Sequence, residues 1–247
     1  MLNNMNDFED EIKNSFIFHI PHSSLNIPDT TNMNLDLISQ DLIFSTDLMT
    51  DTIFDVIGVD KHICDFSRLF CDVERFNDET EFMNKFGRGV FYTKTCEGKV
   101  FRNYDKKLEN SIIENYYKPY HKSLSDKIQN KINQYGVARI IDCHSYNKNQ
   151  LYFEQETERP EICLGVDEKY TPKYLLDFIK LGFERNGLEV KINTPYSGSY
   201  YPMNVKGKME TIMIEINKKL YVDDDYKINM KHVYDLKSII NNIFTFD

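Results

Sequence analysis

The chain has 247 residues, 41% of them hydrophobic and 28% charged, the composition of an ordinary soluble globular domain. Its 39 acidic residues outnumber 30 basic ones, and the net charge of −9 repels phosphate backbones, which excludes nucleic acid as a natural partner. No apolar run approaches the ~20 residues of a membrane span, and Cys64, Cys71, Cys96, Cys143 and Cys163, odd in number and without a CxxC pair, form neither a disulfide framework nor a thiolate zinc site.

Residues 1–15, MLNNMNDFEDEIKNS, form a polar, acidic segment unlike a signal or transit peptide, so a cytoplasmic location is the default expectation. FIFHI (16–20) reads as a short buried strand ending at Pro21. Residues 34–57 read as one or two helices broken near Ser45–Thr46, and HICDF (62–66) and GVFYT (89–93) as strands. Residues 104–135 read as a long helical region with a boundary near Pro119. VARIIDC (137–143), with three β-branched residues after a turn at Gly136, is the clearest strand. EICLGV (161–166), LEVKI (188–192) and TIMIEI (211–216) add strands, and helices fall at about 172–186 and 229–245. The alternation predicts one α/β domain over 16–247, a central mixed sheet with helices on both faces. In such sheets functional groups gather at the carboxyl ends of strands.

Four candidate strand ends carry unusual residues: His22 in HIPHSS; Asp72, Glu74 and Arg75 in CDVERF; Asp142 and His144 in IIDCHSYN; Glu215 inside TIMIEIN. Imidazoles and one carboxylate hold a catalytic zinc with a position open for water. The metal acidifies that water and polarises a carbonyl, a second carboxylate moves the proton, and an arginine fork clamps a substrate carboxylate. Each feature has a plainer reading. His22 is then a polar loop residue, His144 a polar strand end, Arg75 a surface partner of Glu74 or Asp72, and Glu215 a paired structural acid, since an unpaired buried one is strongly disfavoured. His19 reads as a satisfied strand residue, and His62 and His232 as structural or exposed.

The segments PHSS, STDLMTD, CDVERF, RGVFYT, YYKPYH, IDCHSYN, NTPYSGSYYP and IEINKKLY, in that order over about residues 20–221, resemble the N-formylglutamate amidohydrolase (N-formylglutamate deformylase) family. The resemblance implies the zinc-carboxypeptidase-like hydrolase fold shared with aspartoacylase-type deacylases. It implies His22 and His144 as ligands of Zn²⁺ or another divalent transition metal, and Glu215 as general base and later acid. Arg75 would clamp the substrate carboxylate, with Glu74 where the wider group often carries Asn, and Asp142 would orient His144 or another group.

One position departs from the pattern. The acidic ligand of the carboxypeptidases lies three residues after the first histidine, which here is Leu25. STDLMTD offers Asp47 and Asp51, four apart and on one face if helical. Asp47 is favoured as third ligand, with Asp51 and Glu74 open; helix capping or exposure is the plainer reading of both aspartates. NTPYSGSYYP reads as an active-site loop, where Gly198 lets backbone approach substrate and Tyr196 hydrogen-bonds a carboxylate or oxyanion. Arg88 is a second candidate cation for substrate, and His121 either a substrate contact or a residue of a helix cap.

The activity so implied is hydrolysis of N-formyl-L-glutamate, a small carboxylate substrate, to formate and L-glutamate, in histidine breakdown. Two rival readings stand beside it. One is a metallo-deacylase or carboxypeptidase for another N-acyl amino acid or peptide. The other is a non-catalytic binding protein on the same fold, which predicts a lost ligand or base; yet His22, His144, Arg75 and Glu215 are all present.

Overall fold

Period-two alternation along three central strands separates a core face from a site face. In a computed structural model, which describes residues 11–151, 154–202 and 204–245, those strands are β1 (Phe16–Ile20), β3 (Val137–Tyr146) and β6 (Lys208–Asn217). With β2 (Asp60–Ile63), β4 (Ile162–Gly165) and β5 (Val190–Ile192) they form a six-stranded sheet in the order β2-β1-β3-β6-β4-β5. β2, β1, β3 and β6 run parallel, while β4 runs antiparallel to β6 and carries β5 parallel beside it. The expected α/β domain with a mixed sheet is therefore what forms. From β1 the chain passes first to β2 on one side, then to β3 on the other. That reversal opens a crevice at the carboxyl ends of β1 and β3, where open α/β sheets bind ligands.

One face buries Phe16, Phe18, Ile20, Ile141, Cys143, Ile212, Ile214 and Ile216. It packs against α2 (Thr50–Ile53), α5 (Lys173–Arg185) and α6 (Met230–Phe244). The other face buries Ile17, Ala138 and Ile140 against α3 (Lys106–Ile112) and α4 (Lys118–Tyr135). α1 (Leu35–Ser45) contributes Ile38 to a small third cluster with Leu69, Tyr92 and Phe101. Residues 11–14 form a helical turn whose Ile12 packs on the core; residues 1–10 of the polar N-terminal segment lie outside the described residues.

Two sequence expectations are corrected. GVFYT is not a strand: the Thr93 and Lys94 N–H groups both donate to the Gly87 carbonyl, so its backbone closes a turn. Its apolar residues reflect burial, since Val90, Phe91 and Tyr92 are all buried. The second strand ends at Ile63, not Phe66. The expected boundary near Pro119 falls where a π turn (Ile113–Tyr117) gives way to α4 at Lys118, whose N–H donates to the Ile113 carbonyl. The widened turn accommodates a proline ring that would clash in a regular helix. Among the described residues no helix is long and apolar enough to cross a membrane.

Candidate active site

Asp142 and His144 lie two and four residues beyond Ile140 on β3, and so share its face of the sheet. Glu215 sits opposite His144 in the β3–β6 register, and His19 opposite Asp142 in the β1–β3 register. Pro21 ends β1 and turns His22 towards the same edge. Together with the loop carrying Asp47 and the segment after β2, these strand ends surround a cavity of about 430 Å³, within the ~300–1,000 Å³ of small-molecule sites.

Both histidines are surrounded by carboxylates. His22 places Nε2 2.8 Å from Asp72 Oδ1, while its buried Nδ1 has no hydrogen-bond partner and faces Glu74 Oε2 at 3.6 Å and Asp47 Oδ2 at 3.8 Å. His144 places Nδ1 3.0 Å from Asp47 Oδ2, and Nε2 3.1 Å from both Asp142 Oδ1 and Glu74 Oε2. Burial works against an imidazolium at His144, but the Glu74 and Asp142 charges outweigh it and hold its pKa well above the usual histidine range. Asp142 and Asp47 are held low against their own burial, chiefly by His144.

Three carboxylates thus face each of the two imidazoles, four in all, a donor set that suits a divalent cation. The orphaned Nδ1 of His22, with its other nitrogen fixed by a carboxylate, matches the way metal-bound histidines are oriented. His22, Glu74 and His144 bring ligand atoms within 4.8 Å of one another, as do His19, Glu74 and Asp142.

Glu215 lines the cavity beside this cluster, and its buried Oε2 has no hydrogen-bond partner. Burial pushes its pKa up to about 8, with the Asp47 charge adding to the shift and His144 opposing it. A carboxyl poised there can accept a proton and return it near neutral pH.

Asp72, fully buried, joins the histidine and cationic sides of the cavity. Its Oδ1 accepts from His22 and from the Glu74 N–H at 3.0 Å. Its Oδ2 accepts from Tyr92 Oη at 2.6 Å and from Arg68 Nε and Nη2 at 3.2 and 2.9 Å. Arg75 stands further off, with Nη2 3.7 Å from Asp72 Oδ2 and Nη1 donating to the Glu74 carbonyl. Its guanidinium lines the cavity with donors to spare.

The remaining sequence candidates divide. Residues 46–49 are not helical, and Met49 adopts a left-handed conformation (φ 62°). Asp47 and Asp51 therefore do not share a helical face: Asp47 is buried in the site and Asp51 is exposed. Arg88 lines the cavity, but its guanidinium is held by Asp41, Ser45 and the Lys94 carbonyl. Tyr196 also lines it, with its hydroxyl donating to Glu154 at 2.6 Å. His121 is not among the lining residues; it lies within α4 rather than at a cap, and pairs with Tyr200 Oη at 3.0 Å. His19 proves to be part of the cluster, with Nδ1 2.9 Å from Asp142 Oδ1 and Nε2 unpartnered. Sequence reasoning missed the hub role of Asp72, and missed Arg68 and Lys218 altogether. For Lys218 a signal existed: a lysine three residues after Glu215, at the end of an apolar strand.

A family model described as N-formylglutamate amidohydrolase matches residues 14–222. Among solved structures the chain resembles N-formylglutamate amidohydrolase from Ralstonia eutropha JMP134, at 18% identity and a TM-score of 0.76, covering 93% of this chain and 92% of that one. It also resembles the gene product Atu2144 from Agrobacterium tumefaciens, at 18% identity and a TM-score of 0.64, covering 95% of this chain and 92% of that one. These structural likenesses speak for the fold. No curated protein sequence matches the chain.

Proposed function

Since the chain belongs to the N-formylglutamate amidohydrolase family, we propose that it hydrolyses N-formyl-L-glutamate, or a closely related N-acyl amino acid, at a site holding one divalent transition metal, zinc foremost. The observation that carries this reading is the buried His22 Nδ1, unpartnered and facing two carboxylates while Asp72 fixes the opposite nitrogen.

The ligands in this reading are His22 Nδ1, His144 Nδ1 and Asp47. Asp142 does not line the cavity, whereas Asp47 does. Holding His144 through Nε2 from the interior, Asp142 leaves Nδ1 towards the cavity, as Asp72 does for His22. A second reading, favoured by the mutual proximity of their atoms, takes His22, Glu74 and His144 Nε2 instead. When bound, the ion supplies Lewis acidity to the scissile carbonyl and to water.

The protein's own groups do the rest. Arg75 holds the substrate carboxylate, which fixes the amide over Glu215. Glu215 in its carboxylate form takes a proton from the attacking water. It then delivers that proton to the amide nitrogen, so the C–N bond breaks to a free amine and a carboxylic acid. Burial, which keeps the Glu215 pKa near neutrality, suits it to both steps.

The test is a panel of N-formyl, N-acetyl and longer N-acyl amino acids and dipeptides. Protein with its metal content determined is assayed for release of formate, acetate and free amino acid. Formate release from N-formyl-L-glutamate above all others is expected. Preference for a longer acyl group or a peptide would move the reading to another deacylase or a carboxypeptidase. Metal binding without turnover of any member would favour a binding protein.

A further inference from the structure

Lys218 is 4% exposed, opens the short helical turn Lys218–Leu220 after β6, and lines the same cavity as Glu215 and Arg75. Its Nζ donates to the Phe44 carbonyl at 3.0 Å and, weakly, to Asn147 Oδ1 at 3.4 Å. Both acceptors are neutral. An ammonium has three donors, so one is left. Buried charges are ordinarily paired, and the other cavity cations obey: Arg68 and Arg75 lie against Asp72, and Arg88 against Asp41. Lys218 has no carboxylate within 4.0 Å among the described residues; Asp47 and Glu215 act on it only across space. It is a buried cation whose counter-ion the fold does not supply, turned to a cavity built for an anionic substrate.

We propose that Lys218 binds a second carboxylate of the substrate, the one on the side chain of a dicarboxylic amino acid, while Arg75 binds the other. This rests on the hydrolase reading and extends it: two cations with free donors set the selectivity for a dianion over a monoanion of the same shape. Arg68 and Arg88 cannot serve equally, because their guanidinium groups are already held by Asp72 and by Asp41 with Ser45. Asn147 joins the subsite by holding the Lys218 ammonium.

The experiment measures binding apart from turnover. Glutarate and its monoamide, glutaramate, are titrated calorimetrically into the metal-loaded protein, into Lys218→Gln and into Lys218→Arg. Glutamine keeps a donor for the Phe44 carbonyl without the charge. Wild type is expected to prefer glutarate by at least ~10-fold, the worth of one charge-assisted hydrogen bond. Lys218→Gln should remove most of that preference while changing glutaramate affinity little, and Lys218→Arg should keep it. An equal loss for both ligands in Lys218→Gln would mean a structural role, and a preference that survives intact would place the second carboxylate elsewhere; either overturns the proposal. Absence of any glutarate preference in wild type overturns it without recourse to a variant. In parallel, kcat/KM is measured for N-formylglutamate and N-formylglutamine. If neither is hydrolysed while the glutarate preference still depends on Lys218, the catalytic reading falls and the subsite stands.

Discussion

The two faces of the central sheet are made by the same strands and obey different rules. On one, Phe16, Phe18, Ile20, Ile141, Cys143, Ile212, Ile214 and Ile216 form an unbroken apolar layer. On the other, Ile17, Ala138 and Ile140 are followed towards the strand ends by His19, Asp142 and His144, with Glu215 alongside. The first face gains stability from every residue it buries. The second gives up that gain at its carboxyl-end half, where burial of charge is tolerable only because the charges hold one another. Fold and chemistry are thereby divided between alternate positions of the same segments, and substitutions on the two faces should fail in different ways.

The sharpest break is His144→Ala against Ile214→Ala. The first is expected to abolish both metal binding and activity in a chain that still folds. The second should lower unfolding free energy by ~2–5 kcal/mol and leave the activity of the folded fraction intact. Metal content, chemical denaturation and specific activity decide between them; full metal occupancy in His144→Ala would remove it from the ligand set.

Next in size is Glu215→Gln, which should lower kcat by ~10²–10⁴-fold with metal retained and KM little changed. It also carries a pH test in the metal-free protein. The Glu215 carboxyl titrates at about 8 when folded against an ordinary 4.5, so between those values the folded chain keeps a proton that the unfolded chain has lost. Its contribution to stability is present below 4.5 and lost as pH rises towards 8, at about 1.4 kcal/mol per pH unit and so roughly 5 kcal/mol over the whole window. Urea midpoints should therefore fall less steeply over that window in Glu215→Gln. Parallel slopes would return Glu215 to a paired structural acid.

A smaller effect separates the aspartates. Asp47→Asn should weaken metal binding by at least the ~10–100-fold that outer partners are worth, and exposed Asp51→Asn should leave it unchanged. A larger loss in Glu74→Gln than in Asp47→Asn would transfer the third ligand to Glu74. Smallest is Arg75→Lys, which keeps the charge and loses the fork; KM for carboxylate substrates should rise by roughly 10-fold with a lesser change in kcat.

What the sequence revealed and what it hid follow the same division. His22, His144 and Glu215 were legible because a strand that ends on an imidazole or carries a lone acid breaks a local pattern. The Asp47–Asp51 pair misled on geometry, because a left-handed Met49 between them is a three-dimensional fact with no glycine to announce it. GVFYT looked like a strand because burial and strand pairing favour the same residue types. The Asp72 hub was illegible for another reason: its bond to His22 spans 50 residues of chain, and nothing local to CDVERF selects that partner over solvent.

Asp72 has one further consequence, which concerns linkage rather than geometry. Its two oxygens tie the His22 imidazole to the arginines of the cavity wall. In the proposed reading, a substrate anion that draws Arg75 away from Asp72 would leave that carboxylate more basic, and the His22 nitrogen it polarises would become a stronger donor to the ion. Reciprocity then requires the ion to favour the anion by the same factor. Metal affinity measured with and without glutarate should differ accordingly, and Asp72→Asn should weaken metal binding and erase the cooperation between the two binding events.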